Sequence, residues 1–498
     1  MTDAAVTRES AMKSARRLEG VNLVNGKLVA PAGKELFELY DPATRELIVQ
    51  VANSGAADVG DAVAAAKRAQ REWADVPART RGKLLVEAAS VLGRHSEELA
   101  RLLALESGKA LRTECRVETA NVVDALQFFG GLAGEIKGET VPFAPGVLSY
   151  TQREPVGVVA AILPWNVPLM LMAIKIAPAL VAGNCVVVKS SEETPLTVLR
   201  AAELLSAELP AGVLNVLSGD GPRCGAPLVA HPDVAKVTFT GSVETGRTIY
   251  RAAANKLIPV TLELGGKSPM IVMPDADFDK AVAGAVVAMR FTRQGQSCTA
   301  ASRILVHSAL HDRFVESLVE KVSEMTIGDP LDEATDIGTI ISEAQFNKVS
   351  GYIEAGRETA GAVAYQGAEL PRDERLAGGF FVRPVVFTGI GNGHPVAREE
   401  IFGPVTCVMP FDTLDEALEI ANDTPFGLAA SVWTRDLRTA LLAVNSLEAG
   451  YVQVNQALVA GVNISYGGYK QSGLGKELTL DSMLDHFTHS KSISLNFQ

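Results

Sequence analysis

The sequence predicts an α/β chain built as two doubly wound α/β domains with a small β extension. Three observations lead there. The chain has 498 residues, beyond the roughly 250–300 at which one hydrophobic core stops growing. From Val156 onward, continuous apolar runs alternate with helical stretches of about 10–15 residues, the pattern of strands buried on both faces of a mainly parallel sheet. The same alternation restarts near Ser268, after Glu263, so two sheets joined at Glu263–Ser268 are expected.

The elements follow in order. The first twenty or so residues are polar and read as loosely held. Leu23–Asn25 and Lys34–Tyr40 read as short strands with turns at Asn25-Gly26 and Asp41-Pro42. Asp58–Trp73, Pro77–Leu105 and Thr113–Gly130 carry helical spacing. The first α/β series has strands at Val156–Leu163, Cys185–Lys189, Val213–Leu217, Val237–Thr240 and Val260–Glu263. Its helices are Leu169–Ala182, Thr194–Leu209 and Thr245–Ala254. The second series has strands at Met270–Val272, Ile304–Val306, Val405–Pro410 and Ser431–Trp433. Its helices are Phe278–Arg290, His311–Met325, Ser342–Ala360 and Leu414–Asn422. Pro145–Glu154 and Lys491–Phe497 are extended segments that neither core explains, and are expected to pair with another subunit.

Composition narrows the function classes. A net charge of −12 disfavours nucleic-acid and membrane-surface partners. Pro164, Asn166, Pro168, Lys175, Pro178 and Asn184 interrupt the most apolar stretch, so a membrane span is not expected. No apolar leader segment stands at the N-terminus. The five cysteines include no C-x-x-C pair, which argues against disulfides and zinc and fits a cytoplasmic protein. His307 and His311 lack the glutamate of a zinc motif, so no metal site is expected.

Four segments could carry chemistry. Gln294-Gly295-Gln296-Ser297-Cys298 sets a cysteine after a glycine turn. A thiolate there could attack a carbonyl carbon, although a lone cysteine is more often a small buried hydrophobe. Leu262-Glu263-Leu264-Gly265-Gly266 ends an apolar strand on a carboxylate, either a general base or a salt-bridged strand end. Pro164-Trp165-Asn166-Val167-Pro168 is either a plain turn or a rigid loop presenting an amide to an oxyanion. Lys189 to Glu192 could hold ribose hydroxyls, and the turn from Gly241 through Ser242 to Gly246 could face a phosphate, without the G-x-G-x-x-G fingerprint.

Together and in this order, these segments resemble the aldehyde dehydrogenase superfamily, of the hydrolytic, non-acylating type. The likeness continues through Glu400-Ile401-Phe402-Gly403-Pro404 and Tyr466-Gly467-Gly468 to the C-terminus. It implies a Rossmann-like NAD-binding domain of residues 1–135 and 156–266 and a catalytic domain of residues 267–470. Residues 136–155 and 483–498 would be oligomerisation segments, giving a homodimer or homotetramer. It further implies that Cys298 attacks a small-molecule aldehyde and that Asn166 and the Cys298 N–H hold the oxyanion. Hydride would pass to the nicotinamide, and Glu263 would activate the water that hydrolyses the thioester. By the same resemblance Trp165, Lys189, Glu192, Gly241, Ser242, Gly246, Gly265, Glu400 and Phe402 face the dinucleotide. Glu477 either relays protons or forms a salt bridge near the entrance. Glu192 favours NAD, with NADP the alternative, because a carboxylate repels a 2′-phosphate.

The resemblance assigns the aldehyde tunnel to Val167, Leu171, Ile174, Thr292 and Ser297, with the loop Ala457–Ser465. This lining is apolar and lacks the aromatic cage expected for a trimethylammonium aldehyde. Succinate-semialdehyde relatives carry an arginine where Thr292 stands; Arg293 is one position off and is expected to point elsewhere. A medium-sized apolar or aromatic aldehyde is the expectation, with a semialdehyde or other small aldehyde as the alternative. A CoA-acylating enzyme would lack Glu263, and a non-catalytic cofactor-binding protein would have lost the nucleophile or base.

Overall fold

The computed structural model describes residues 3–497. Two predominantly parallel sheets form the molecule, as the alternation predicts. In the first, five parallel strands lie in the order Leu214–Leu217, Cys185–Lys189, Val158–Ile162, Val234–Thr240, Val260–Glu263. The hairpin Asn22–Val24/Lys27–Val29 closes one edge, and Gly473–Leu474 adds antiparallel to the other. In the second, Val363–Gln366 lies antiparallel at one edge, followed by six parallel strands: Val385–Thr388, Val405–Phe411, Arg303–His307, Pro269–Val272, Ala429–Trp433 and Tyr451–Val454.

Register places the chemistry. Ile162 pairs with both Lys189 and Phe239, and Thr240 pairs with Glu263. The carboxyl ends of these strands therefore form one row. Strand order reverses beside Val158–Ile162, and in such sheets the crevice for a ligand opens at that switch point. The loop to Asn166, the Gly241 turn and Glu263 all leave from this row.

Several expectations are corrected. Residues 3–16 form a helix packed on Ser96–Ser107, with Ala11 and Ala15 buried, because alanines four apart make a narrow apolar stripe. Arg8 anchors it through ion pairs to Asp41 and, at 3.0 Å, Asp329. The long helical stretch Pro77–Leu105 is two helices, Ala78–Arg94 and Ser96–Ser107, broken at His95. The stretch from Thr113 begins inside a wider turn, Leu111–Cys115, before the helix Arg116–Gly131. Beyond these corrections, the extended segments also pair within the chain: Thr488–Asn496 lies antiparallel along Val147–Pro155 over nine residue pairs, and Thr140–Ala144 completes a three-stranded sheet.

Two helices of the first domain share an unusual start. Pro168–Val181 and Pro195–Ser206 both begin on proline, after residues (Val167 and Thr194) that supply no side-chain cap. Proline suits the first position, but the next two N–H groups still need acceptors. Buried glutamates from neighbouring helices supply them. Glu118 accepts from Leu169 at 2.9 Å and Met170 at 3.3 Å. Glu106 accepts from the Leu196 N–H at 2.8 Å, the Thr197 N–H at 3.0 Å and the Thr197 hydroxyl. Glu106→Ala strands these donors in the core, at a cost of about 2 kcal/mol. Calorimetry should show a lower Tm for the variant; an unchanged Tm would contradict the capping role.

Candidate active site

A cavity of about 420 Å³ opens at the switch point, between the carboxyl ends of the first sheet and the Cys298 segment. Cys298 and Glu263 line it together with Asn166, Trp165, Gly241, Ser242, Gly265, Glu400 and Phe402. Val167, Leu171, Ile174 and Ser297 line it as well. Sequence reasoning thus assembles most of one wall. Lys189, Glu192, Gly246 and Glu477 lie outside that lining.

The Gly265–Gly266 turn is the tightest part. A Cβ on Gly265 would lie 2.3 Å from Glu400 Oε2, and one on Gly266 would lie 2.3 Å from the Cys298 carbonyl oxygen. Only glycine lets the backbone pass between them. The Gly266 N–H donates to Glu400 Oε1 at 2.9 Å, which fixes that carboxylate at the cavity wall.

Cys298 is half-buried. Burial pushes its thiol up to about 11; a hydrogen bond with the Tyr466 hydroxyl, Sγ to oxygen 3.4 Å, and the Arg293 charge pull the other way. Glu263 is buried with both carboxyl oxygens lacking a hydrogen-bond partner. Burial, reinforced by the charge of Glu477, holds its carboxyl well above the usual range. Glu477 itself takes the buried Lys175 ammonium at 2.8 Å, a salt bridge within the core and not at an entrance. The other four cysteines are buried; burial raises Cys185 and Cys224 to about 12 and Cys407 to about 11.

Asn166 is held from both sides. Its side-chain amide donates to the Gln296 carbonyl at 3.2 Å, and its own carbonyl accepts from Lys109 Nζ at 2.8 Å. Lys109 in turn pairs with Glu118, the residue that caps the following helix. Among the residues that the sequence assigns to the cofactor, Trp165 meets Phe402 edge to face at 5.2 Å. Lys189 pairs with Glu192 at 2.9 Å. Ser242 caps Val243–Ala254, accepting from Thr245 at 3.2 Å. A Cβ on Gly246 would strike Leu264 at 2.7 Å, so this glycine seats the helix against the strand end.

A model of the aldehyde dehydrogenase family matches residues 28–493. The chain belongs to the aldehyde dehydrogenase family. Similar solved structures agree across nearly the whole chain. Betaine aldehyde dehydrogenase from Staphylococcus aureus, solved with NAD+, is 37% identical with a TM-score of 0.94, covering 98% of this chain and 97% of its own. Aldehyde dehydrogenase from Bacillus cereus, also an NAD+ complex, is 38% identical with a TM-score of 0.92, covering 96% and 97%.

Two expectations about the dehydrogenase's tunnel are corrected. Thr292 does not line the cavity; its hydroxyl donates to Glu114. Arg293 does line it, paired with the same Glu114, in a short helical segment flanked by left-handed residues at Arg290 and Gln294. Lys109, Glu118, Arg290 and Tyr466 were not singled out as site residues from sequence. Only Lys175 had a visible signal, as the sole charge in the otherwise apolar helix Pro168–Val181.

The dehydrogenase's thiol environment predicts a pH profile. Alkylation of Cys298 by iodoacetamide, read by peptide mass spectrometry, should rise steadily from pH 7 to 9 without a plateau. Tyr466→Phe removes the hydrogen bond that favours the thiolate, so its profile should shift to higher pH. A plateau below pH 8, or a shift downward in the variant, would contradict this.

Proposed function

We propose that the protein oxidises an aldehyde to a carboxylic acid with NAD+ and water through a thioester on Cys298. The observation that carries this reading is the convergence of Cys298, the unpartnered carboxyl of Glu263 and the Asn166 amide on one cavity. Cys298 Sγ adds to the aldehyde carbon, and the resulting oxyanion is held by the Asn166 amide and the Cys298 N–H. A bound NAD+ would supply the hydride acceptor that collapse of this adduct to a thioester requires. Glu263 takes a proton from water, which attacks the thioester and returns the sulfur. Burial raises its proton affinity well above that of an ordinary carboxylate, which strengthens it as a base. Glu477 and Lys175 set the electrostatic field at Glu263.

The dinucleotide fits the residues present. Gly241, the Ser242-capped helix and the wall of Trp165, Phe402 and Glu400 line the same cavity as Cys298. Lys189 and Glu192 would hold the adenosine ribose, and the Glu192 carboxylate favours NAD over NADP. Residues 1–135 and 156–266 are the NAD-binding unit in this reading, and residues 267–470 the catalytic unit. Residues 136–155 and 483–498 would mediate a homodimer or homotetramer. The exposed Phe143 and Phe497 in and beside their sheet support that role. No helix among the described residues is long and apolar enough to cross a membrane, and a cytoplasmic location fits the five free thiols.

Apolar walls at Val167, Met170, Leu171 and Leu458 favour an aldehyde with an apolar or aromatic body. The test is reduced-dinucleotide formation from a panel of aldehydes, with NAD+ and NADP+ compared. Cys298→Ala should lower turnover at least about a thousandfold, and kcat/KM should favour NAD+. Persistent activity in the folded variant would remove Cys298 as nucleophile, and equal use of NADP+ would remove the role given to Glu192.

A further inference from the structure

The cations around the cavity are matched by a neighbouring carboxylate with one exception. Arg293 is matched by Glu114, with Nη2 2.5 Å from Oε2, and Lys109 is matched by Glu118. On the cofactor side Lys348 and Glu400 offset one another. Arg290 has no such partner: among the described residues, no carboxylate lies within 4.0 Å of its guanidinium. One Nη2–H reaches the Leu458 carbonyl at 2.9 Å, and Nε has no hydrogen-bond partner although it is shielded from solvent.

A cation held this way is costly unless something completes it. The backbone adds to the argument. Arg290 has φ +56° at the end of the helix Phe278–Ala288, where glycine or asparagine is the unstrained choice. Strain of this kind persists where the surroundings enforce it, commonly at ligand clamps. Arg290 shares its cavity with Cys298, Leu171 and Leu458.

We propose that Arg290 is a specificity residue that pairs with an anionic group, a carboxylate, carried by the aldehyde at the end remote from its carbonyl. The apolar walls then hold the body of the substrate, the Arg290 guanidinium its far end, and Cys298 the reacting carbon. This rests on the proposed aldehyde oxidation and names its substrate class: an apolar or aromatic aldehyde acid. A guanidinium–carboxylate hydrogen bond formed in a largely desolvated site discriminates strongly against a neutral or cationic analogue.

The experiment compares kcat/KM for 4-carboxybenzaldehyde with 4-methylbenzaldehyde, for succinic semialdehyde with butanal, and for betaine aldehyde, in wild type, Arg290→Lys and Arg290→Gln. Wild type should favour the carboxylated member of at least one pair by about tenfold or more. That ratio should fall at least tenfold in Arg290→Gln and be partly restored in Arg290→Lys. The wild-type ratios stand alone should either variant fail to fold. Neutral aldehydes preferred in both pairs, betaine aldehyde the best substrate, or a ratio unchanged in folded Arg290→Gln would overturn the assignment while leaving aldehyde oxidation intact. No turnover of any aldehyde by wild type would instead overturn the oxidation reading on which the assignment rests.

Discussion

The Gly265–Gly266 pair in the five-residue connection Leu264–Ser268 is the constraint on which the site depends. The connection leaves the last parallel strand of the first sheet at Glu263 and enters the second sheet at Pro269. In passing it touches Glu400 on one side and the Cys298 carbonyl on the other, with no room for a Cβ on either glycine. Base, nucleophile segment and Glu400 are therefore positioned by one short stretch of backbone. Geometry held by backbone contact is stiffer than geometry held by flexible side chains, and reacting groups need placement to within about an ångström.

Burial then sets the chemistry. Glu263 and Cys298 both sit where their charged forms are disfavoured, so each holds its proton more tightly than in water. The surrounding charges are arranged in pairs: Lys175 with Glu477, Lys109 with Glu118, Arg293 with Glu114. The pairs also do mechanical work. Lys109 and Glu118 link the Asn166 carbonyl to the start of the next helix, so the loop that carries the amide is held by a buried ion pair from a distant part of the sequence. Against this background of matched charge, the unmatched Arg290 stands out.

Much of this was legible in the sequence because it is periodic or local. Continuous apolar runs gave Cys185–Lys189 and Val260–Glu263 to the residue. The ordered motifs brought Cys298, Glu263 and Asn166 together through a family resemblance that the family match supports. Other features escaped because they depend on contacts between distant segments. The N-terminal helix is fixed by Arg8 reaching Asp329. The two tail strands find each other across more than three hundred residues. Arg293 lines the cavity from a segment flanked by left-handed backbone at Arg290 and Gln294, which no side-chain pattern announces.

The central claim is a division of labour, with Cys298 forming the thioester and Glu263 needed to hydrolyse it. Glu263→Gln keeps the shape of the side chain and removes the base. Mixed with NAD+ and a good aldehyde, this variant should release about one NADH per site in a burst and then nearly stop. Intact-protein and peptide mass spectrometry should find the acyl group on Cys298. Steady turnover without a burst, or an acyl group on any other residue, would contradict the account.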